Sequence, residues 1–171
     1  MKTFQQFLFE FYKTEFLDAA DEDRKARSKN INIKFEKLNF RKKIAFFNVN
    51  TPGSKKSWIV ELQFPEIKEI SKSKKNELKE IVEMAIESGN LNIFCNCPDF
   101  KFKGYKYISN ELDYNLDGKK YEEGRSPDIR NPKQEGTLCK HSIAVLEKIN
   151  DFIDPISEAI ISQRNKKDKD V

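Results

Sequence analysis

Leu91-Asn92-Ile93-Phe94-Cys95-Asn96-Cys97, followed at once by Pro98, is the stretch on which the reading of this chain turns. It reads as a short strand that hands its end to proline. Residues i and i+2 of a strand point to one face, so Cys95 and Cys97 can offer both sulfurs to a single ion across the bend that Pro98 enforces. The 171 residues contain only three cysteines and one histidine, and the remaining two of these four stand together in Cys139-Lys140-His141. Three thiolates and one imidazole are a complete tetrahedral set for Zn²⁺, with no position left for a catalytic water.

Working outward, residues 71–88 place Leu78, Ile81, Val82, Ala85 and Ile86 on one helical face and stop at Gly89. Three strand signals come before that helix. Ile31, Ile33 and Phe35 alternate with polar residues; KKIAFFNVN follows; Trp58, Val60, Leu62 and Phe64 alternate up to Pro65. Thr51-Pro52-Gly53-Ser54 supplies a fixed and a positive φ, so the last two of these strands are expected to form a hairpin, and a meander is the simplest connection. After Pro98 lies a long segment, Asp99 to Thr137, rich in Tyr, Gly, Asn and Asp. Residues 138–149 form a helix with Ile143, Leu146 and Ile149 on one side, and Pro155 opens a last helix to about Gln163. Cys139 and His141 open the first of these helices, where free backbone N–H groups, the positive end of the dipole and Lys140 favour thiolate. The fold class expected is α+β: a small antiparallel sheet with flanking helices and a zinc-stapled long insert.

The N-terminus carries Phe4, Phe7, Leu8 and Phe11 at helical spacing, with Phe9, Tyr12, Phe16 and Leu17 on a second face. Such a helix is either wrapped in its own domain or docked on another subunit. The organisation expected is an aromatic helix and connector over 1–30, a single α+β domain over 31–163 with the zinc module at 91–149, and a charged tail over 164–171.

Charged residues make up 35% of the chain against 37% hydrophobic, which leaves limited apolar surface to bury and favours an added staple. No run approaches the roughly 20 apolar residues of a membrane span, so a soluble protein in a reducing compartment is expected. Between Lys29 and Lys75 there are twelve Lys or Arg against four acids, a local excess of eight. Arg41, Lys42, Lys43, Lys55 and Lys56 could therefore meet nucleic acid, or could simply solvate strand faces and a hairpin tip.

Two other readings of the cysteines stay open at this point. A disulfide plus a free thiol is one, although a bridge between residues two apart is strained. A nucleophilic Cys139 activated by His141 is the other, and it leaves two cysteines unexplained. Phosphate loops and a Gly-x-Ser-x-Gly elbow are absent, and Asp99 lacks the second acid a nuclease needs, so no enzyme and no small-molecule substrate are expected.

The order Cys-x-Cys, long insert, Cys-x-His at a helix start resembles the SWIM-type zinc finger over Leu91 to Ile149. That resemblance implies a DNA-binding or protein-interaction module. The fuller strings CNCPDFKFKGYKYIS and RSPDIRNPKQEGTLCKHSIAVLEKI resemble zinc-bearing structural proteins of tailed bacteriophages, including crAss-like phages. This second resemblance supports Cys95, Cys97, Cys139 and His141 as ligands of Zn²⁺ and marks Pro98, Asp99, Phe100, Arg130, Asn131, Pro132 and Gly136 as framework. Asn131-Pro132 favours an extended bend, Gly136 permits close approach of the loop to the metal, and Phe100 can cover the thiolates. It also implies a head-tail connector, collar or ring component of a virion, assembled in the host cytoplasm as a homo-oligomer with other virion proteins.

Overall fold

The computed structural model describes residues 12–65, 75–87, 89–122, 126–134 and 136–167. Expectations that fall on Phe4 to Phe11, on the start of the 71–88 helix and on the tail after Lys167 lie outside the described residues. The elements are α1 (Lys13–Asp18), α2 (Glu22–Ser28), β1 (Asn32–Asn39), β2 (Ile44–Asn50), β3 (Ser57–Gln63), α3 (Lys75–Glu87), β4 (Asn92–Cys95), α4 (Pro98–Phe102), α5 (Tyr105–Glu111), α6 (Lys140–Lys148) and α7 (Ile153–Lys167). Single 3₁₀ turns occupy Leu116–Gly118 and Ile149–Phe152.

The sheet is antiparallel throughout, in the order β1-β2-β3-β4, and the fold is α+β. Alternation decides which face is buried. Ala45, Phe47 and Val49 of β2, Val60 and Leu62 of β3, and Ile93 and Cys95 of β4 point into the core. β1 would lose this alternation were it regular, because Phe35 and Leu38 are three apart. A bulge between Phe35 and Lys37 inserts one residue, so Phe35 faces Phe47 and Leu38 faces Ala45 on the same side. α6 packs on β2, β3 and β4 from that side and α7 packs on β1, while α3 packs on α7 and α1. Leu78, Val82 and Ile86 form the fully buried stripe of α3, with Ile81 and Ala85 beside it.

Three expectations change. Residues 18–30 are not a plain connector, since α2 occupies Glu22–Ser28. It has no apolar stripe; Asp21 caps it by accepting from the Arg24 N–H at 3.2 Å, and acids fill the first turn and bases the last. The last helix runs to Lys167, so the expected tail begins inside α7. The segment after Pro98 is not one uninterrupted loop, because it contains α4 and α5 and packs its aromatic side chains into the same core as the sheet.

Part of this packing forms on the sheet face opposite α6. Phe94 alternates with Ile93 and Cys95 and so points outward, where its ring meets Phe100 at 5.3 Å and Tyr121 at 5.2 Å between centroids. Phe100, Tyr105 and Tyr114 are all buried. Tyr114 stacks edge-on against Phe16 of α1, and its hydroxyl donates to the Thr137 carbonyl at 2.7 Å. The Ile93 N–H donates to the Tyr114 carbonyl, covering part of the free edge of β4.

A candidate metal centre at two helix starts

Each half of the centre places one cysteine at a helix N-cap. Cys95 ends β4, and Cys97, with extended backbone, is the N-cap of α4, where Pro98 takes the first helical position. The Phe100 N–H donates to the Cys97 sulfur at 3.4 Å, the bond an N-cap acceptor makes. Cys139, again extended, is the N-cap of α6, and His141 follows in the first turn. The Cys139 sulfur lies 3.4 Å from the Ser142 hydroxyl oxygen. The two sulfurs of the first pair thus meet through a strand end and a helix cap, not through two positions of one strand; the strand stops at Cys95 because the backbone turns into α4.

The candidate donor atoms of Cys95, Cys97, Cys139 and His141 all lie within 4.8 Å of one another, and all four residues are buried. Ligand bonds of about 2.3 Å to sulfur and about 2.0 Å to nitrogen place tetrahedral donors about 3.5–3.8 Å apart, so the cluster fits a zinc site with little movement. Two features of the site agree with that fit. The His141 Nδ1 atom is buried with no hydrogen-bond partner, a state that costs about 1–3 kcal/mol unless something binds there. The cysteines are not bridged, and without a cation three packed sulfurs cannot all ionise. Burial and the neighbouring thiols push Cys95 up; the Cys139 sulfur, ahead of burial, pushes Cys97 up. Burial also opposes ionisation of Cys139, but bonds from Cys95, Cys97 and His141 outweigh it and hold its thiol well below the ordinary range. Deprotonating all three thiols together would take a cation among them.

Arg24, which sequence reasoning missed, is the cation beside this cluster. It is almost fully buried, donates to Asp99 at 2.8 Å and lies 5.3 Å over the Tyr105 ring. Burial lowers its pKa, but the Asp99 bond, with smaller contributions from Tyr105, Asp99 and Cys139, leaves it raised. α2 is thereby clamped to the first turn of α4. Its local sequence carries no apolar signal that would mark it, rather than Lys25 or Arg27 of the same helix, for burial.

The other framework residues divide. Phe100 is buried and donates its backbone N–H to the Cys97 sulfur, and Asp99 binds Arg24. Asn131 donates to the Lys103 carbonyl at 3.4 Å, Arg130 is exposed over Phe102, Pro132 is exposed, and Lys140 donates to Thr51 at 3.5 Å. Gly136 has a φ of +73°, and a Cβ there would come within 3.3 Å of the Asp21 nitrogen. Its close approach is to the cap of α2, not to the metal.

The five basic residues proposed for nucleic acid do not share a surface. Arg41, Lys42 and Lys43 lie in the β1–β2 turn, and Lys55 and Lys56 in the β2–β3 turn. The seven residues of β2 separate these ends by about 20 Å. Lys42 pairs with Asp117 at 3.3 Å and Lys43 donates to the Pro65 carbonyl, so two of the first three are held by the fold.

No helix among the described residues is long and apolar enough to cross a membrane. No curated protein and no solved structure matches the chain. The SWIM zinc finger, a zinc-binding domain that implies protein or nucleic-acid interaction, matches residues 77–106 and 133–150, and its two matched segments hold the two halves of the Cys₃His cluster on either side of the insert.

Proposed function

We propose that this chain is a non-catalytic interaction module whose insert is held by one structural zinc bound by Cys95, Cys97, Cys139 and His141. The observation that carries the reading is the donor set: four protein ligands meet in a buried cluster, which fills a tetrahedral sphere and leaves no place for substrate or water. The ion would join the end of β4, the start of α4 and the start of α6, three elements otherwise linked by the packing of α6 on β4 and of Phe94 on Phe100. Chelation of the zinc-loaded chain under reducing conditions, followed by hydrogen exchange, tests this. Protection is expected to fall first in α4, α5 and the first turn of α6, with β1–β3 keeping theirs; unchanged protection on complete zinc removal would sink the reading.

The setting is a tailed-phage virion, in which the chain acts as an assembly component such as a connector, collar or ring subunit made in the bacterial host. The likeness of the strings around both ligand pairs to phage structural proteins supports it. Its presence in purified particles, against a pool confined to the infected cell, is the test.

One observation favours a second reading, nucleic-acid binding. Lys140 reaches Thr51, and a cleft beside it is lined by Lys29, Asn32, Thr51 and Lys148. With Lys55 and Lys56 in the same turn, five lysines gather at one end of the sheet. Duplex binding that weakens with salt at a slope of about −0.9 per phosphate contacted is expected on this reading, and no binding at low salt counts against it.

A further inference from the structure

Among the described residues, three large hydrophobic side chains are exposed: Met84 at 64%, Phe102 at 53% and Ile129 at 94%. They belong to two patches of opposite charge. On α3, Leu78, Val82 and Ile86 are buried, which turns Glu80, Glu83, Met84 and Glu87 outward at the i, i+3, i+4 and i+7 positions of one face. Met84 is therefore flanked by carboxylates. Lys79 of the same helix is bound to Asp154 at 2.6 Å, and Glu87 is bound to Lys13.

The second patch lies on the insert. Lys101 and Arg130 both place their cations 5.7 Å from the centre of the Phe102 ring, and Ile129 precedes Arg130. Lys103 is beside them; Asp128 is the acid of this patch. Its presentation is built into the fold. Gly104, with a φ of +82°, lets Pro127 seat against the backbone, where a Cβ would lie 2.3 Å from the proline ring. Asn131 donates from its side chain to the Lys103 carbonyl and from its backbone to the Pro127 carbonyl. The 127–131 turn is thus fastened to the end of α4 in a way that leaves Ile129 in water.

We propose that these patches are the two halves of one self-contact: the acidic Met84 face of α3 in one copy seats on the basic Phe102–Ile129 tip of the insert in the next. Apolar centres rimmed by opposite charges are the pattern of a specific interface, in which the charges set register and exclude like pairs. Two different patches make the contact heterologous, so copies join head to tail into a ring or a filament. The inference names the partner for the proposed interaction role and rests on that role, since the staple is what holds the insert.

Two substitutions at exposed positions test it, Met84→Lys and Ile129→Glu, each placing a like charge against the opposite patch. Sedimentation equilibrium of the full zinc-loaded chain is expected to show association beyond a monomer, and each variant alone to weaken it by about tenfold or more. Mixed in equal amounts, the variants retain one intact patch each of opposite kind and are expected to form a dimer that does not grow. A wild-type chain that stays monomeric at hundreds of micromolar, variants that assemble as wild type does, or a mixture without dimer would each overturn the proposal. Zinc content is measured on the same samples: variants that keep zinc but lose assembly bear on the interface, whereas a wild-type chain that assembles without zinc leaves the interface standing and removes the staple.

Discussion

Replacing Arg24 with alanine is expected to loosen the centre without touching a ligand. Its side chain is 5% exposed, whereas that of its partner Asp99 is 36% exposed. Removing the arginine therefore does not strand a carboxylate in the interior; Asp99 can rehydrate, and the loss falls short of the full penalty for an orphaned buried charge. The lost charge-assisted hydrogen bond contributes about 1.5–3 kcal/mol, and the guanidinium over Tyr105 about 1 kcal/mol. A total near 3 kcal/mol is about a hundredfold in the folding equilibrium. In urea, with zinc in excess, and at a slope of about 2 kcal/mol per molar, the midpoint should fall by about 1.5 M. Arg27→Ala is the control, because Arg27 sits on the same helix with its Asp23 partner at the surface. An exposed pair of this kind is worth under about 1 kcal/mol. If Arg24→Ala costs no more than Arg27→Ala, the clamp between α2 and α4 has been misread.

Two further outcomes follow from single contacts. Gly104→Ala meets both a positive φ and the Pro127 ring and should cost more than about 2 kcal/mol, whereas Gly53→Ala, with a φ of +79° and open space around it, should cost only about 1 kcal/mol; equal costs in thermal unfolding would contradict the seating of Pro127. Glu87 accepts from Lys13 and Asn150, each at 2.7 Å, and these bonds hold its carboxyl below the usual range. Because the folded pKa is depressed, the contribution is whole above the unfolded value of about 4.3 and is lost as pH falls through the folded one. The stability gap between wild type and Glu87→Gln should then close on acidification, and a constant gap would show that the pairing adds nothing.

Much of the sheet could be read from residues, because alternation is a local property. Ile31 to Phe35, Ile44 to Asn50 and Trp58 to Phe64 each show it, and Pro52-Gly53 marks the hairpin between the last two. The four ligands were legible for a different reason: the residues that bind soft metals are so few here that their pairing is conspicuous. What could not be read depends on contacts distant in sequence. α2 lacks an apolar stripe and is held by a cap, by Arg24 on Asp99 and by Ser28 on Glu147. The helices of the insert answer to Phe94, which looks like a polar-face exception on its own strand until the rings of Phe100 and Tyr121 cover it. The basic residues were grouped by proximity in sequence, and β2 carries the two turns to opposite ends of the sheet.

X-ray absorption at the zinc edge on the freshly reduced protein tests the central claim most directly. The donor set predicts one zinc per chain with three sulfur neighbours at about 2.3 Å and one nitrogen at about 2.0 Å, with no oxygen in the first sphere. A sphere that includes a water oxygen, one with fewer than three sulfurs, or a chain that holds no zinc at all would contradict it.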